Sequence, residues 1–551
     1  MSIGIDFKVF DSLQKPFLNS LPNNLSYKTC SMFKNEIFSY VISYKSIEKI
    51  FGKYTCSISV ESPIEKYVHI RHIGYVPSIL PAYTLESDNY LSTAPGLFPD
   101  VLEPITNNEV PLSSNCYQSL WVMIEPDENV RPDEYKVKLT LANEEVSGNV
   151  EFSIRILPAS LPEQKLIYTD WFHPDCVAHI HNVEIFSEKH WEIMERYISL
   201  AVKYGMNMLY TPVFTPPLDT EIGNYRDTVQ LVGVSYDGKY EFDFSLFERW
   251  INVAKRCGIL YFEISHLFTQ WGCKHAPKIM ATVDGEYKRI FGWDTKSDSN
   301  EYIEFLDSFL IALLEEIEKL RIKDKVYFHV SDEPSVESLG NYKNAANIMK
   351  KYVKDYPIID ALSDYEFYEE GLVNKPIPSS SNVEIFIENG VKNLWTYYCC
   401  AQHSEVSNRF MAMPSYRNRI IGVQLYKYNL EGFLHWGYNF YNSGLSKRHI
   451  NPYCVTDADM EFPSGDAFIV YPYKDEAIES IRMIVFNEAL QDIRAFQMLE
   501  KLKGREYVID LIDDNLSNPI TFKTYPQNSD YIIKLRERVN MEIITALQNN
   551  N

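Results

Sequence analysis

The chain has 551 residues, 53 Lys plus Arg against 75 Asp plus Glu, a formal charge of −22 and 45% hydrophobic residues. That length supports more than one domain and a large core, while so acidic a surface repels phosphate backbones and anionic lipids and weighs against nucleic-acid or membrane-surface partners. Aromatic residues reach 14%, and ring faces suit the faces of sugars, although most rings in a chain of this size belong to the core.

Residues 1–8 carry neither a basic leader region nor a continuous apolar run, and no stretch is long enough to span a bilayer. Nine cysteines are scattered without a Cys-x-x-Cys pair. That usage predicts reduced thiols in a cytoplasmic setting. Residues 1–160 read as all-β. Tyr135, Val137, Leu139 and Leu141 alternate with polar neighbours, and Val150, Phe152, Ile154 and Ile156 repeat the pattern after a turn-rich stretch, which predicts a hairpin. With further strands near 37–44, 54–60, 67–75 and 120–124, a β-sandwich domain is expected, closed by the Pro-marked segment 157–162.

From 165 to about 505 the pattern becomes strand, helix, strand, helix, the signature of a (β/α)8 TIM-like barrel. Strands are expected at 166–171, 206–214, 259–268, 326–330, 358–362, 393–399, 432–436 and 467–471; residues 371–392 show no clear period. Ile303, Leu306, Leu310, Leu313, Ile317 and Leu320 form one apolar helical stripe. Residues 506–551 are expected as a C-terminal helical extension.

The fourth expected strand ends in Asp332 and Glu333 before Pro334, which cannot extend a ladder. Two acids at the carboxyl end of a barrel strand lie where such barrels keep their chemistry. Most retaining glycosidases need a second carboxylate opposite the acid, usually on a late strand, and the late strands here offer Cys, His and Trp at their ends. A sugar bearing a 2-acetamido group supplies its own nucleophile, the carbonyl oxygen, and then needs only one carboxylate to hold the acetamido N–H and a neighbour to act as acid and base. Asp332 fits the first role and Glu333, as the protonated partner, the second. The plain alternative is an N-terminal helix signature, with Pro334 at the first helical position and both acids favouring the dipole.

Ser331 to Pro334 after an aromatic strand resembles the catalytic segment of glycoside hydrolase family 123, the β-N-acetylgalactosaminidases. Residues 394–399, 432–436, 471–472, 480–482 and 488–492 fit that family's C-terminal half in order. Tyr438 to Tyr441 stand where a more Trp-rich segment belongs, as does His435, and Tyr473 stands where a Gly would follow Pro472. The resemblance implies a retaining exo-acting enzyme removing terminal β-linked N-acetylgalactosamine from glycans or glycosphingolipids, with Asp332 orienting the acetamido group and Glu333 as general acid/base. A hexosaminidase preferring N-acetylglucosamine and a non-catalytic carbohydrate-binding scaffold are the rival readings. No cofactor or metal is implied.

Tyr398 is expected as the phenol that sets the acetamido oxygen, ahead of its neighbour Tyr397. Substrate contacts are expected from Asp170, Trp171 and His173 after the first barrel strand, His266 and Trp271 after the third, and His435 and Trp436 at a late one, with Trp436 as a stacking floor. His173, Asp175, Cys176, His179 and His181 match no tight zinc spacing and read as loop residues. No phosphate-binding Gly-rich loop is present.

Overall fold

The computed structural model describes all residues except 1–2, 23–26, 52–53, 84–87 and 550–551; the first two residues, read above for a leader, lie outside the described residues. The chain folds as a mixed α/β protein with several sheets. Two five-stranded sheets occupy the N-terminal part. One contains Phe38–Ser46, Val68–Ser78 and Gln118–Ile124, the other Thr55–Glu61, Glu134–Ala142 and Ser147–Ile156. The last two strands form the expected hairpin, pairing antiparallel from Ala142 and Ser147 outward.

Alternation decides how these sheets pack. Tyr40, Ile42, Leu120 and Val122 of the first sheet meet Val137, Leu139, Phe152 and Ile154 of the second in one apolar cluster. The intervening residues of the first sheet, Val41, Trp121 and Met123, belong to a different core that continues into the C-terminal helices. A sheet buried on both faces must read as unbroken hydrophobic sequence, which is why residues 40–44 show little alternation whereas 134–142 show it clearly.

Eight short strands carry the second part: β1 (Ile167–Asp170), β2 (Met208–Thr211), β3 (Tyr261–Ile264), β4 (Val326–Phe328), β5 (Ile359–Ala361), β6 (Lys375–Ile377), β7 (Trp395–Tyr397) and β8 (Gly432–His435). Six of them form one parallel sheet in the order β4-β3-β2-β1-β8-β7. β5 and β6 pair parallel with each other. Two isolated parallel bridges, Phe328 to Ile358 and Ser379 to Tyr397, tie that pair to β4 and β7. Met208, Tyr210, Tyr327, Ile359, Ile377, Trp395, Tyr397 and Leu434 converge on a single apolar cluster, so one face of each of these strands looks inward together.

Two expectations change. β6 is a strand the sequence did not announce: three residues long with Pro376 at its centre, it has too few positions to show a period. Residues 467–471 do not supply a parallel strand; Val470–Tyr473 instead turns back on Glu476–Glu479 as an antiparallel hairpin. Helices run over Glu188–Lys203, Ser245–Cys257, Asn300–Lys319 and Ile481–Lys503, the third along the apolar stripe from Ile303 read above. Ser187 and Ser299 cap the first and third of these by accepting from His190 N–H and Tyr302 N–H, satisfying backbone donors that the first turn leaves open. Among the described residues no helix is long and apolar enough to cross a membrane.

Candidate active site

β4 ends at Phe328, and the chain bends at Val330 on its way to the acids. Four contacts fasten this tip. Val330 N–H donates to the Asp360 carboxylate at 3.0 Å, Ser331 Oγ to Thr269 C=O at 3.0 Å, Trp271 N–H to Asp332 C=O at 3.0 Å and Glu333 N–H to Ala361 C=O at 3.0 Å. Glu333 then adopts φ +42°, a left-handed conformation that costs a non-glycine residue free energy and that surrounding contacts must hold. On a regular strand neighbours face opposite sides; past this kink the Glu333 carboxylate reaches the Tyr397 hydroxyl, and its charge also acts on the Asp332 carboxyl. The helix-cap alternative does not describe this geometry. The next α-helix begins at Leu339, after a short 3-10 turn over Val336–Ser338.

Both acids are half-buried. Burial raises the Asp332 carboxyl well above the usual carboxylate range, and the Glu333 charge beside it adds to the rise. Burial raises Glu333 as well, against a hydrogen bond from the Tyr397 hydroxyl to its Oε1 at 2.7 Å. Two neighbouring carboxylates in such a setting titrate as a unit and retain one proton to higher pH than either would alone. The two differ in their partners. Glu333 has the Tyr397 phenol, and the Cys399 thiol 3.9 Å away, whereas among the described residues none donates to the Asp332 carboxylate.

Tyr397 points inward with the apolar cluster of the parallel strands. Tyr398, the residue favoured from sequence, points to the other side of β7, where its ring packs against Phe433 and His435 and its hydroxyl is buried without a partner. Strand parity thus puts Tyr397 at the acid. Trp271 stands at the mouth, 51% exposed, on a loop turned tightly by positive φ at Trp271, Gly272 and Cys273. Trp436 is partly exposed, and its indole donates to Asp466 Oδ2 at 2.9 Å. Asp466 is itself fully buried and acts on Glu333 through its charge.

The remaining expected contact residues lie deeper. Asp170 and His435 have essentially no exposed surface and belong to an ion cluster centred on Arg409, which donates to Asp170 Oδ2 at 2.7 Å, His435 Nδ1 at 2.7 Å and Gly437 C=O at 2.9 Å. Burial alone would raise Asp170, but the guanidinium and His435 outweigh it and bring the carboxyl down to about 2. Replacing Arg409 by methionine leaves that carboxylate buried and uncompensated, so a stability loss of about 3–5 kcal/mol is expected, read as a lower urea midpoint. His173 bridges the Trp436 carbonyl (2.9 Å) and Arg226 (3.1 Å), fastening the loops after β1 and β8 to each other. Burial and the Arg226 charge lower it to about 4, so it serves this junction as a neutral ring.

Trp171 is also buried; its indole donates to Glu263 Oε1 at 2.7 Å, and Thr169 to Oε2 at 2.7 Å. His266 is buried against His329, ring centroids 4.2 Å apart, with Nδ1 2.9 Å from the Tyr210 hydroxyl. Glu263, His329 and Asp360, which run beneath the acid pair, were not singled out from sequence. Their signal was present: each is an ionisable residue inside an otherwise apolar strand, and such a residue must find a partner.

The His173 to His181 segment holds no convergent ligand set. Asp175 pairs with Arg226, His181 lies on the Tyr197 hydroxyl, and His179 stacks on His449. Among the described residues, His266, His329 and Asp360 place one donor atom each within 4.8 Å of one another. Both ring nitrogens of His329 are already directed at carboxylates, so Glu263, His329 and Asp360 form a hydrogen-bonded chain with His266 stacked on its ring. A cavity of about 970 Å³ opens beside Leu166, Ile167 and Glu431, where β1 and β8 begin, away from the acid pair.

No curated protein matches the chain in sequence. A solved family 123 glycoside hydrolase from Clostridium perfringens, studied for glycolipid glycan hydrolysis, superposes with a TM-score of 0.73 at 14% identity, over 99% of this chain and 98% of that one. At that identity the likeness speaks for the fold. A β-glucuronidase from Parabacteroides merdae (TM-score 0.31, 12% identity, 90% of this chain and 52% of that one) and a family 5 mannosidase from Rhizomucor miehei (0.31, 12%, 63% and 96%) align too loosely to add to it. The profile of the glycoside hydrolase 123 catalytic domain matches residues 171–499, more than half of the chain and the whole of the span that carries β2 to β8 and the acid pair. The chain therefore belongs to glycoside hydrolase family 123 and is a glycoside hydrolase.

Proposed function

We propose that the protein is a retaining exo-β-N-acetylgalactosaminidase acting on glycans or glycosphingolipids by substrate-assisted catalysis. The observation that carries this reading is the pair of carboxyl groups at the tip of β4: Glu333, which has a phenol donor, next to Asp332, which among the described residues has none. A bound 2-acetamido group supplies the missing donor. Its N–H hydrogen-bonds Asp332, which favours the anion there and leaves the shared proton on Glu333. The acetamido carbonyl oxygen attacks the anomeric carbon as the glycosidic bond breaks, Glu333 protonates the departing oxygen, and the Asp332 anion stabilises the cationic oxazolinium ring. Glu333, now a carboxylate, takes a proton from water attacking the same carbon, the ring reopens, and the configuration is retained.

Asp466, the other carboxylate acting on Glu333, is sealed from the mouth and engaged by the Trp436 indole, which leaves it poorly placed as an enzyme nucleophile. Tyr397, Trp271 and the exposed edge of Trp436 are the proposed substrate contacts, with Asp170, His173, Trp171, His266 and His435 behind them. The two isolated bridges that connect β5 and β6 to their neighbours support a closed (β/α)8 barrel over 165–505, and the shared apolar cluster of the two N-terminal sheets supports a β-sandwich over 1–160, with 506–551 as the helical extension. The nine unpaired cysteines accord with a cytoplasmic setting.

The test is turnover of aryl β-N-acetylgalactosaminide beside the glucosaminide, with proton NMR of the first sugar released. Preferential cleavage of the galactosaminide and initial release of its β-anomer are expected. A preference for the glucosaminide would reassign the sugar, and initial α-anomer would exclude retention.

A further inference from the structure

Glu263 on β3, His329 at the end of β4 and Asp360 on β5 come from three successive strands and are buried to within 1% of completely. His329 Nε2 lies 2.5 Å from Glu263 Oε1, and Nδ1 lies 3.0 Å from Asp360 Oδ1. A neutral imidazole has one donor nitrogen and one acceptor. Between two ionised carboxylates, only the doubly protonated ring satisfies both of these contacts. The carboxylates have further donors of their own: Thr169 and Trp171 on Glu263, Val330 N–H and the Tyr342 hydroxyl on Asp360. Hydrogen-bond donors of this kind favour a carboxylate's anionic form; at Asp360 they work against burial, which raises that carboxyl, and an anion on either side of the ring favours the imidazolium.

This chain lies directly beneath the acid pair. The charged groups acting on the Asp332 carboxylate are Glu333 next to it, His329 three residues earlier on the same strand, Asp360 from β5 and Glu263 from β3. The Tyr210 hydroxyl approaches from β2 and feels Asp332 in turn. His266, stacked on His329, is held neutral by its burial and by the His329 charge. Among these groups His329 is the single cation, set amid four carboxyl groups.

We infer that His329 is a positioning residue for the reaction: clamped as an imidazolium by Glu263 and Asp360, it supplies the positive charge that favours the Asp332 anion, so that Glu333 carries the proton once the acetamido N–H is bound. Burial by itself would make the ring less basic, but its two carboxylate partners outweigh that and push it up to about 9. A ring that basic rests charged at neutral pH. This inference rests on the substrate-assisted reading above, because only that mechanism requires an anion and an acid at adjacent positions.

The test uses the full chain and aryl β-N-acetylgalactosaminide. Histidine-selective nitrogen NMR of the wild type, assigned by comparison with His329→Gln, is expected to show protons on both His329 ring nitrogens at neutral pH. In the kcat profile, His329→Gln is expected to move the acidic limb upward by about one to three pH units, and to lower kcat at neutral pH about tenfold or more with little change in KM. Asp360→Asn keeps the ring protonated on Glu263 while removing one anion, so its acidic limb is expected to move downward, which gives a second readout should the first variant fail to fold. A merely structural role would lower folded yield or kcat without moving either limb. Unmoved limbs in folded variants, or a singly protonated His329 ring, would overturn the inference. Wild-type inactivity on every N-acetylhexosaminide would instead overturn the substrate reading on which it rests.

Discussion

Replacing Glu333 by glutamine is expected to lower kcat on a poorly activated N-acetylgalactosaminide by about 10²–10⁴-fold, the range that loss of a positioned general acid produces. Substrate binding should survive. The amide keeps the size of the side chain and can still accept from Tyr397, which donates to Glu333 Oε1 at 2.7 Å, so the left-handed kink at this residue need not change. Because the lost function is proton donation, the deficit should shrink when the leaving group departs without help. A nitrophenyl leaving group should therefore recover much of the first step, and the slow part should become hydrolysis of the oxazolinium, which still lacks a base. Wild-type turnover by this variant on both leaving-group classes would remove Glu333 from the mechanism.

Replacing Asp332 by asparagine should cost about 10²–10³-fold in kcat, the loss seen when one preorganised electrostatic partner of a developing charge is removed. Unlike the Glu333 variant, this one should not be helped by a better leaving group, since the deficit lies in the cationic ring and not in the departing oxygen. A stable oxazoline analogue should also bind the variant more weakly, because the anion that matches its charge is gone. In the protein the carboxylate lies over a negatively biased cluster with one imidazolium in it. A neutral amide there relieves repulsion, so Asp332→Asn is expected to unfold at a urea concentration no lower than wild type. Lost activity with undiminished stability separates a catalytic from a structural role.

How the sequence carried this information differs from residue to residue. Asp332 and Glu333 were legible because they follow an apolar strand and precede Pro334, which bars the ladder from continuing, although β4 itself stops earlier, at Phe328. Tyr397 and Tyr398 were not separable: alternation says that one of two neighbours faces in, but only an inward anchor, here Trp395 two residues earlier in the apolar cluster, says which. Glu263, His329 and Asp360 each stood out in an apolar strand, yet their mutual pairing depends on β3, β4 and β5 being spatial neighbours, which local sequence does not encode. Asp170 and His435 sat at strand ends as expected of mouth residues, but Arg409, far off in sequence, draws both into a sealed ion cluster. β6 escaped notice because three residues around a proline cannot display a period.

The central claim is that the sugar supplies the nucleophile and the enzyme supplies two adjacent carboxyl groups. Its most direct measurement is the ratio of kcat/KM for an aryl β-N-acetylgalactosaminide to that for the matching aryl β-galactoside, which carries a hydroxyl in place of the acetamido group. Cleavage confined to the N-acetyl sugar, falling further when the acetamido carbonyl is made less nucleophilic by fluorine substitution, is the expected result. Equal rates on the two sugars, with a glycosyl ester trapped on an enzyme carboxylate, would contradict it.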